Sequence, residues 1–481
     1  MSTNHSQPGN PTEGTESLRE DSAYLKPALD YIDNWLEHQT VLDQSTPGYQ
    51  VAISHNGKII YSRGFGYACL EQKEKMSPQH IFRIASHSKT FTSVAIMQLV
   101  ESGKLSLFDK ATEYLGFLKE NPNKSVQEVT LHELLQHASG FSRDGNDGSY
   151  WSLEKDFPSK EDLKAFFRKT DLKVENNSCF KYSNLGFGLL GMVVEEVSGE
   201  SYSDYVKKNI LEPTGLDKTA PDYEPDLGQF VTNYSSLTPW GEIVPIGPDT
   251  KTGSLLSATG FCSNAEEICK FYSAVLPKSG VLLPDSLKKE AFRKQREIPG
   301  REAWAGYGLG FNISKIGDHL LRGHNGGMPG SMTSSSFCPE TRMVVSVLSN
   351  SQSSDATPIQ RAIWKIMDKF KHEYDPTSPH LYYTGTFYDL WYTINFVPMG
   401  DKMYASFPCA LNPFENAHEL KHVEDNVFRV TKANDYGPYG DFVEFREGLA
   451  EVNYAGYLLK HQHGYKKYIQ CLKNETVKKR P

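Results

Sequence analysis

The sequence predicts an α+β protein with two domains, and three patterns support this prediction. β-type segments near the start give way to a long, mostly helical stretch, after which strand patterns return before a further helix. A segment with two prolines follows at residues 374–379 and has the composition of a linker. Beyond it, aromatic and polar residues alternate, as they do in the strands of a small antiparallel barrel.

Each element has its own local signal. Residues 23–36 carry apolar side chains at helical spacing, which predicts an amphipathic helix. Asn56-Gly57 supplies the positive φ angles of a tight turn, so strands at residues 48–54 and 58–65 are expected to form a hairpin. Later helices are predicted at residues 88–100, 131–136, 161–167, 185–197, 265–276 and 358–370. Later strands are predicted at residues 307–313, 319–323, 332–337 and 343–348.

These signals divide the chain into four parts. Residues 1–20 are polar and lack the basic start and apolar stretch of a secretory signal, so we expect a disordered tail. A catalytic domain is expected at residues 21–373, a linker at 374–379 and a β-barrel domain at 380–481. Since the chain also lacks an apolar run of about 18 residues, we expect a cytoplasmic protein that does not enter a membrane.

The composition argues against several classes of partner. The chain has 51 Lys and Arg residues against 59 Asp and Glu residues, and its net charge of −8 disfavours nucleic acid as a partner. Its seven cysteines are scattered without a CxxC pair, which predicts reduced and mostly buried thiols rather than a structural metal site. We therefore expect no structural zinc, and we expect no other metal and no organic cofactor.

The first candidate for chemistry is Ser86, which precedes Lys89 by three positions at the start of an apolar helix. Positions i and i+3 share one face of a helix, so the lysine can reach the serine hydroxyl, and a desolvated lysine loses its proton more easily. The helix N-terminus also offers free N–H groups to an oxyanion. Two other S-x-x-K segments, which begin at Ser152 and Ser286, lie among charged residues and are expected to have surface roles only.

The second candidate is Tyr182, in a Tyr-x-Asn segment that ends at Asn184 just before another apolar helix. A phenol whose pKa is lowered by a neighbouring ammonium group can take the serine proton or protonate a leaving group. The Asn184 amide can then bind Lys89 or the substrate. The alternative interpretation is an ordinary helix-capping turn in which Asn184 is the cap.

The third candidate is a Lys/His-x-Gly segment, and the chain has two. Lys251-Thr252-Gly253 is followed closely by a helix start, so we do not expect it on a strand of the closing sheet. His324-Asn325-Gly326-Gly327 follows one predicted strand and precedes two more. We therefore choose His324, and the alternative interpretation is a turn histidine in a glycine-rich loop.

Together and in this order, the three segments resemble the motif set of the serine β-lactamase-related family, which includes class C β-lactamases, D-aminopeptidases, D,D-peptidases and family VIII esterases. Residues 134–140 also resemble the LLxHtSG block of this family, and residues 257–271 resemble its small-residue turn and helix. The resemblance covers roughly residues 25–372 and implies a β-lactamase/penicillin-binding-protein-like fold, with an antiparallel sheet, flanking helices and a helical subdomain. The C-terminal part resembles the lipocalin-like β-domains attached to some family peptidases.

The resemblance implies a role for each matched residue. Ser86 is the implied nucleophile, Lys89 and Tyr182 transfer protons, and the backbone N–H groups of Ser86 and Gly327 form the oxyanion hole. Substrate positioning is implied for Asn184, His324, Asn325 and Gly326. His324 stands where class C enzymes have lysine, and a histidine is only partly charged near neutral pH, which disfavours carboxylate-bearing β-lactams. Either Lys89 or Tyr182 can be the principal base.

Hydrolysis of a small ester or amide through an acyl-enzyme, in the manner of an esterase or a D-amino-acid peptidase, is the function that the sequence favours. Acyl transfer to a small alcohol or amine, β-lactam hydrolysis and a non-catalytic scaffold are the alternatives, although a scaffold has no physical need for the whole motif set. The expected partner is a small molecule or a short peptide. We expect the barrel domain to cover the active site, to mediate formation of a homo-oligomer or to stabilise the chain.

Overall fold

The computed structural model describes residues 22–42, 45–354, 356–434 and 437–478. The tail predicted at residues 1–20 lies outside these ranges. The chain forms two compact units, of which one covers residues 43–361 and the other combines the N-terminal helix with the chain from residue 362 onward. Among the described residues, no helix has both the length and the apolar character needed to cross a membrane.

An antiparallel sheet of nine strands forms the centre of the first unit. The strands of this unit are β1 Gly48–His55, β2 Lys58–Cys69, β3 Glu74–Lys75, β4 Phe82–Arg83, β5 Asn233–Tyr234, β6 Pro245–Ile246, β7 Cys262–Ser263, β8 Arg296–Glu297, β9 Gly306–Tyr307, β10 Asn312–Ile316, β11 His319–Met328, β12 Ser331–Cys338 and β13 Met343–Ser349. The order in the large sheet is β3-β2-β1-β13-β12-β11-β10-β9-β8, and β4 pairs with β7 in a separate two-stranded ladder. The first and last long strands are therefore neighbours at the middle of the sheet.

The predicted hairpin at Asn56-Gly57 is confirmed. β1 pairs with β2 in antiparallel register, and Asn56 and Gly57 have φ angles of 51° and 78°. Both values lie in the left-handed region that a two-residue hairpin turn of this hand requires, which is why an Asn-Gly pair occupies it. β1 and β13 are buried almost throughout, because helical elements cover this part of the sheet.

The helices are close to those that the periodicity predicts, with several short helices added between them. They are α1 Leu25–Leu42, α2 Ser88–Glu101, α3 Ala111–Tyr114, α4 Lys124–Gln127, α5 Leu131–Leu135, α6 Lys160–Phe167, α7 Asn184–Ser198, α8 Tyr202–Val206, α9 Glu212–Thr214, α10 Ala265–Val275, α11 Asp285–Phe292, α12 Ala356–Glu373 and α13 Gln462–Lys478. α10 packs on β1 and β13. Phe91 of α2 stacks on Phe261 and Phe271 with ring centroids 4.4 and 3.8 Å apart, and most residues of α2 are buried.

The second unit contains a closed antiparallel barrel of eight strands. Its strands are β14 Gly385–Tyr388, β15 Thr393–Met399, β16 Lys402–Ser406, β17 His418–Glu424, β18 Val427–Lys432, β19 Phe442–Arg446, β20 Glu451–Tyr454 and β21 Tyr457–His461. Side chains such as Phe387, Phe396, Phe428 and Phe445 pack together in its core. The α+β class with a C-terminal antiparallel barrel is thus confirmed. The helix α13 after the last strand was not predicted.

The N-terminal helix α1 packs within the barrel unit. The Trp35 indole Nε1–H donates to the carbonyl oxygen of Ala410 at 2.9 Å, and the hydroxyls of Tyr31 and Ser406 lie 2.9 Å apart. Tyr31 and Trp35 are one helical turn apart, so both lie on the same face of the helix. The amphipathic pattern predicted a buried face on this helix, and the barrel unit is what buries it.

Candidate active site

A strained turn presents Ser86 at the start of α2. β4 leads into a short 3₁₀ turn at Ala85–His87, in which Ala85 has a φ of 46°, a value rarely adopted by residues other than glycine. The Ser88 hydroxyl holds this turn, because it donates to the Ala85 carbonyl at 2.6 Å and accepts from the Phe261 N–H at 3.1 Å. A conformation of this energy persists only where its surroundings enforce it, and such conformations concentrate at functional sites.

Lys89 is fully buried and reaches Ser86 from the first turn of α2. Its Nζ lies 3.0 Å from the Ser86 Oγ, 2.8 Å from the Asn184 Oδ1 and 2.7 Å from the carbonyl oxygen of Ala258. Burial holds the pKa of Lys89 well below its ordinary value, and the opposing effect of the Asp144 carboxylate is smaller. Three oxygen atoms thus surround the amine, and its burial rather than these contacts disfavours the positive charge.

Tyr182 approaches the same hydroxyl from the other side. Its phenol O–H donates to the Ser86 Oγ at 2.8 Å. Burial raises the pKa of Tyr182 and outweighs the hydrogen bond to Ser86, which lowers it. The sequence-based expectation of a phenol with a lowered pKa is therefore wrong, because desolvation dominates at this position and the Lys89 amine beside it disfavours the ammonium form.

Asn184 is the first residue of α7 and faces the site, while its neighbour caps the helix. The Ser183 hydroxyl accepts from the Gly186 N–H at 3.0 Å, so the alternative in which Asn184 is the cap does not apply. The Asn184 Oδ1 accepts a hydrogen bond from the Lys89 Nζ. The Asn184 Nδ2 donates to the Asp144 Oδ1 at 2.7 Å. Sequence analysis missed Asp144, which lies in the loop four positions after the LLxHtSG-like block.

The predicted third motif is part of a strand rather than a loop. β10 pairs with residues 319–323 of β11, and residues 324–328 continue the strand beside β12. A Cβ atom on Gly326 would lie 2.3 Å from the carbonyl oxygen of Ile84, so only glycine allows the strand to approach the Ser86 turn this closely. Asn325 is exposed on the opposite face, and its Oδ1 accepts from the Asn312 Nδ2 at 3.1 Å.

His324 is buried next to Tyr307 and both of its ring nitrogens have partners. The Nε2 lies 3.0 Å from the Tyr307 hydroxyl, and the Nδ1 lies 2.6 Å from the Asn325 carbonyl oxygen. Burial raises the pKa of Tyr307 well above its ordinary value, so its O–H donates to Nε2, and Nδ1–H donates to the carbonyl. Burial also holds the pKa of His324 well below its ordinary value. The imidazole is neutral here, rather than partly charged as expected.

His137, from the LLxHtSG-like block, lies against the proton-transfer residues. Its ring centroid is 4.2 Å from that of Tyr182 and 4.7 Å from that of Tyr307. The Nδ1 accepts from the Ser183 N–H at 3.1 Å, and burial keeps its pKa well below the ordinary value. This neutral ring supports Tyr182 from behind. Within the described ranges, no group of three or more His, Cys, Asp or Glu side chains is arranged to hold a metal ion.

Lys251 belongs to the rejected Lys-x-Gly segment and lies elsewhere in the fold. It is exposed, and Gly253 behind it begins a 3₁₀ turn at Gly253–Leu255 rather than a strand. The other two S-x-x-K serines, Ser152 and Ser286, are exposed as well. The structure therefore brings together Ser86, Lys89, Tyr182, Asn184 and the buried face of β11, and leaves the competing segments outside.

Several curated proteins match part of the chain, and two of them represent the matches. Protein flp of Staphylococcus aureus strain COL is 30% identical over 189 residues, which are 39% of this chain and 37% of that protein. Penicillin-binding protein 4* of Bacillus subtilis strain 168 is 33% identical over 178 residues, which are 35% of this chain and 37% of that protein. The chain thus spans little more than a third of the length of these relatives.

Solved structures match over a longer part of the chain. The octameric penicillin-binding protein homologue from Pyrococcus abyssi has a TM-score of 0.60 at 22% identity, and the match covers 92% of this chain and 99% of that one. The D-amino acid amidase from Ochrobactrum anthropi SV3, complexed with L-phenylalanine, has a TM-score of 0.59 at 23% identity and covers 70% of this chain and 99% of that one. At these identities the likeness concerns the fold. The Beta-lactamase family matches residues 26–366, and the chain belongs to this family.

Proposed function

We propose that this protein is a serine hydrolase that forms an acyl-enzyme at Ser86 from a small ester or amide, of the esterase or D-amino-acid amidase and peptidase type. One observation carries the proposal. The Ser86 Oγ lies 3.0 Å from a buried amine and 2.8 Å from a buried phenol. A hydroxyl held between a base and a proton donor is the arrangement that nucleophilic acyl transfer requires.

Lys89 is the proposed base. A neutral amine has two N–H groups and one lone pair. The Asn184 Oδ1 and the Ala258 carbonyl oxygen can only accept, so they take the two N–H groups. The lone pair is then left for the third neighbour, the Ser86 O–H. The lowered pKa of Lys89 supports this assignment, because a neutral amine is what removes the serine proton.

Tyr182 is the proposed proton donor. With its pKa raised, the phenol stays protonated and donates to the Ser86 Oγ, from which it can pass the proton to the leaving group. In acylation, Ser86 loses its proton to Lys89, the bond to the leaving group breaks, and the leaving group takes the proton of Tyr182. In deacylation, water gives a proton to the Tyr182 phenolate and its hydroxyl to the acyl carbon. The Ser86 Oγ then leaves with the proton from Lys89.

The oxyanion that forms in each step needs donors. We assign this role to the backbone N–H groups of Ser86 and Gly327, as the family resemblance implies. The close approach of Gly326 to Ile84 supports the assignment, because it brings the end of β11 next to the Ser86 turn.

The substrate that we propose carries no carboxylate on the side of β11. A neutral His324 whose two nitrogens are already bonded provides no fixed cation there. This disfavours β-lactams and peptides with a free C-terminus, and favours neutral esters and amides. Among the structural neighbours is a D-stereospecific amidohydrolase from Streptomyces sp., which matches 70% of this chain. Self-association stays a prediction, supported by the octameric description of the Pyrococcus neighbour.

Intact-protein mass spectrometry tests the proposal. The protein is incubated with a fluorophosphonate, with p-nitrophenyl esters, with D-amino acid amides and with a penicillin. We expect a single covalent adduct on the wild type and turnover of esters or amides with little turnover of penicillin. Ser86→Ala is expected to lose both the adduct and the turnover.

Ser152→Ala is the matched control, since Ser152 begins an S-x-x-K segment on the surface. We expect this variant to behave as the wild type does. Absence of an adduct from every probe would contradict the acyl-enzyme, and an adduct that persists in Ser86→Ala would contradict the choice of nucleophile. Rapid turnover of penicillin would overturn the proposed substrate class.

A further inference from the structure

An acidic side chain stands behind the amide that binds Lys89. The Asp144 Oδ1 accepts from the Asn184 Nδ2 at 2.7 Å, and the Asp144 Oδ2 accepts from the Arg143 Nε at 3.1 Å. Asp144 is 16% exposed, whereas Arg143 is 66% exposed. The carboxylate therefore belongs to the wall of the site, and the guanidinium lies toward the solvent.

We propose that Asp144 is a positioning residue for the base, because it fixes the Asn184 amide with its oxygen toward Lys89 and places a negative charge behind that amide. The proposal rests on the assignment of Ser86 and Lys89 under the proposed function. It adds a residue that lies outside the three motifs and is not among the side-chain hydrogen-bond partners of Ser86, which are Lys89 and Tyr182.

The orientation of the amide follows from hydrogen-bond chemistry. An Asn side chain has an accepting oxygen on one side and a donating NH₂ group on the other. A carboxylate can only accept, so Asp144 requires the NH₂ group of Asn184. The oxygen must then face Lys89, at 2.8 Å. Without Asp144, the amide could rotate and set its N–H groups against those of the amine, and the Lys89 lone pair would lose its fixed direction.

The charge of Asp144 acts on Lys89 in the same arrangement. Among the charged groups around the amine, Asp144 raises the pKa of Lys89 and Arg143 lowers it, while burial lowers it more than either changes it. For the other titratable groups near Lys89, burial shifts each pKa in the direction that favours the neutral form of the group. These groups are Tyr182, His87, His137 and His324. Asp144 is therefore the anion that limits how far the Lys89 pKa falls.

The test uses Asp144→Asn and Asp144→Ala in the full chain. The readout is the pH dependence of Ser86 labelling by a fluorophosphonate, together with kcat and KM for a neutral ester. The Asn side chain can still accept from Asn184 through its own oxygen, so this variant removes mainly the charge. The Ala side chain removes both the charge and the hydrogen bond.

Loss of the charge lowers the Lys89 pKa, so the acidic limb of the labelling profile is expected to move to lower pH by about one unit in both variants. Asp144→Ala is expected to lose, in addition, on the order of 10- to 100-fold in kcat, because the base is no longer held in place. KM for the neutral ester is expected to change little. The matched control is Asp147→Asn, in the same loop, where the exposed carboxylate pairs with Lys155.

Labelling profiles of the Asp144 variants that superimpose on the wild-type profile would overturn the inference, provided that thermal unfolding shows folded protein. A change confined to KM for substrates with a free ammonium group would also overturn it, since Asp144 would then be binding substrate. Failure of the proposed function looks different, because the wild type itself would not be labelled at Ser86 at any pH.

Discussion

Burial at the centre of the site acts on two residues in opposite senses. It holds the pKa of Lys89 below its ordinary value and raises that of Tyr182. Both shifts favour the neutral form, which for Lys89 is an amine able to accept a proton and for Tyr182 a phenol able to donate one. With the roles proposed for Lys89 and Tyr182, this single physical cause separates the acid from the base and lets one pocket support both proton transfers near neutral pH.

Removal of the Tyr182 hydroxyl tests this division of roles. Tyr182→Phe keeps the ring beside His137 but loses the donor to Ser86. An amide leaving group needs a proton, whereas p-nitrophenolate leaves without one. We expect kcat/KM to fall by about 10²- to 10⁴-fold for an amide and by much less for a p-nitrophenyl ester. The ratio of the two kcat/KM values is the measurement.

Tyr202→Phe is the control for the loss of a buried phenol, since the Tyr202 hydroxyl bonds Thr92 at 2.6 Å and is not among the hydrogen-bond partners of Ser86. The amide-to-ester ratio is expected to stay at the wild-type value in this variant. An equal loss on amide and ester in Tyr182→Phe would contradict a role as leaving-group acid and would point to activation of Ser86 instead.

Residue identities were predictable where spacing along the chain carries the signal. Ser86 and Lys89 are three positions apart, so their contact follows from local geometry. Asp144 contacts Asn184 across 40 positions, and Tyr307 contacts His324 from the end of a different strand. No spacing rule links such pairs. The pKa of Tyr182 was predicted with the wrong sign because the degree of burial is a property of the folded chain.

At the scale of elements, the approach of β11 to the Ser86 turn depends on one missing side chain. A Cβ atom on Gly326 would meet backbone atoms of Ile84, which cannot move aside as a flexible side chain does. At Gly327 the nearest atom is the Met332 Sδ at 3.4 Å, an ordinary contact. Neighbouring glycines of one strand are thus expected to differ sharply in tolerance.

Gly326→Ala is expected to push β11 away from the Ser86 turn. Overpacking of this kind costs about 1–3 kcal/mol of unfolding free energy, and a displacement near 1 Å reduces kcat/KM about 100-fold. Gly327→Ala keeps its N–H group, and its free energy of unfolding is expected to lie within about 0.5 kcal/mol of the wild-type value. Denaturant unfolding and ester kinetics on both variants are the measurements. Equal stability in the two variants would show that the strand tolerates a side chain at Gly326 and would contradict the close approach.

Elements with strong periodicity or distinctive turn residues were predicted well, and their partners were not. The Asn56-Gly57 hairpin and the helices near residues 88–100 and 185–197 appear as expected. β11 runs five residues beyond its predicted end, because Gly326, in the segment that suggested a loop, serves a close backbone approach. The pattern of α1 predicted a buried face but could not say that the barrel unit covers it.

At the scale of the whole molecule, buried histidines around the candidate active site make the free energy of unfolding depend on pH. His87, His137 and His324 are buried and their pKa values are all lowered, chiefly by burial. In the unfolded chain these rings take up protons as the pH falls below about 6.5, and the folded chain resists the same uptake. Their contribution to stability is therefore present above that pH and is lost as the medium becomes more acidic.

His87 allows this to be measured, because burial lowers its pKa from 6.5 to about 4. Between these two values the unfolded state binds the additional proton, so His87 alone is expected to remove about 3 kcal/mol of unfolding free energy as the pH falls from 6.5 to 4. His87→Gln is expected to flatten the wild-type curve by this amount, as followed by urea unfolding at a series of pH values. His463→Gln, at an exposed position on α13, serves as the control and should leave the slope unchanged. A His87→Gln curve parallel to that of the wild type would mean that His87 titrates normally in the fold. Because His87 and Lys89 are buried around the same turn, the desolvated surroundings assigned to Lys89 would then lose their support.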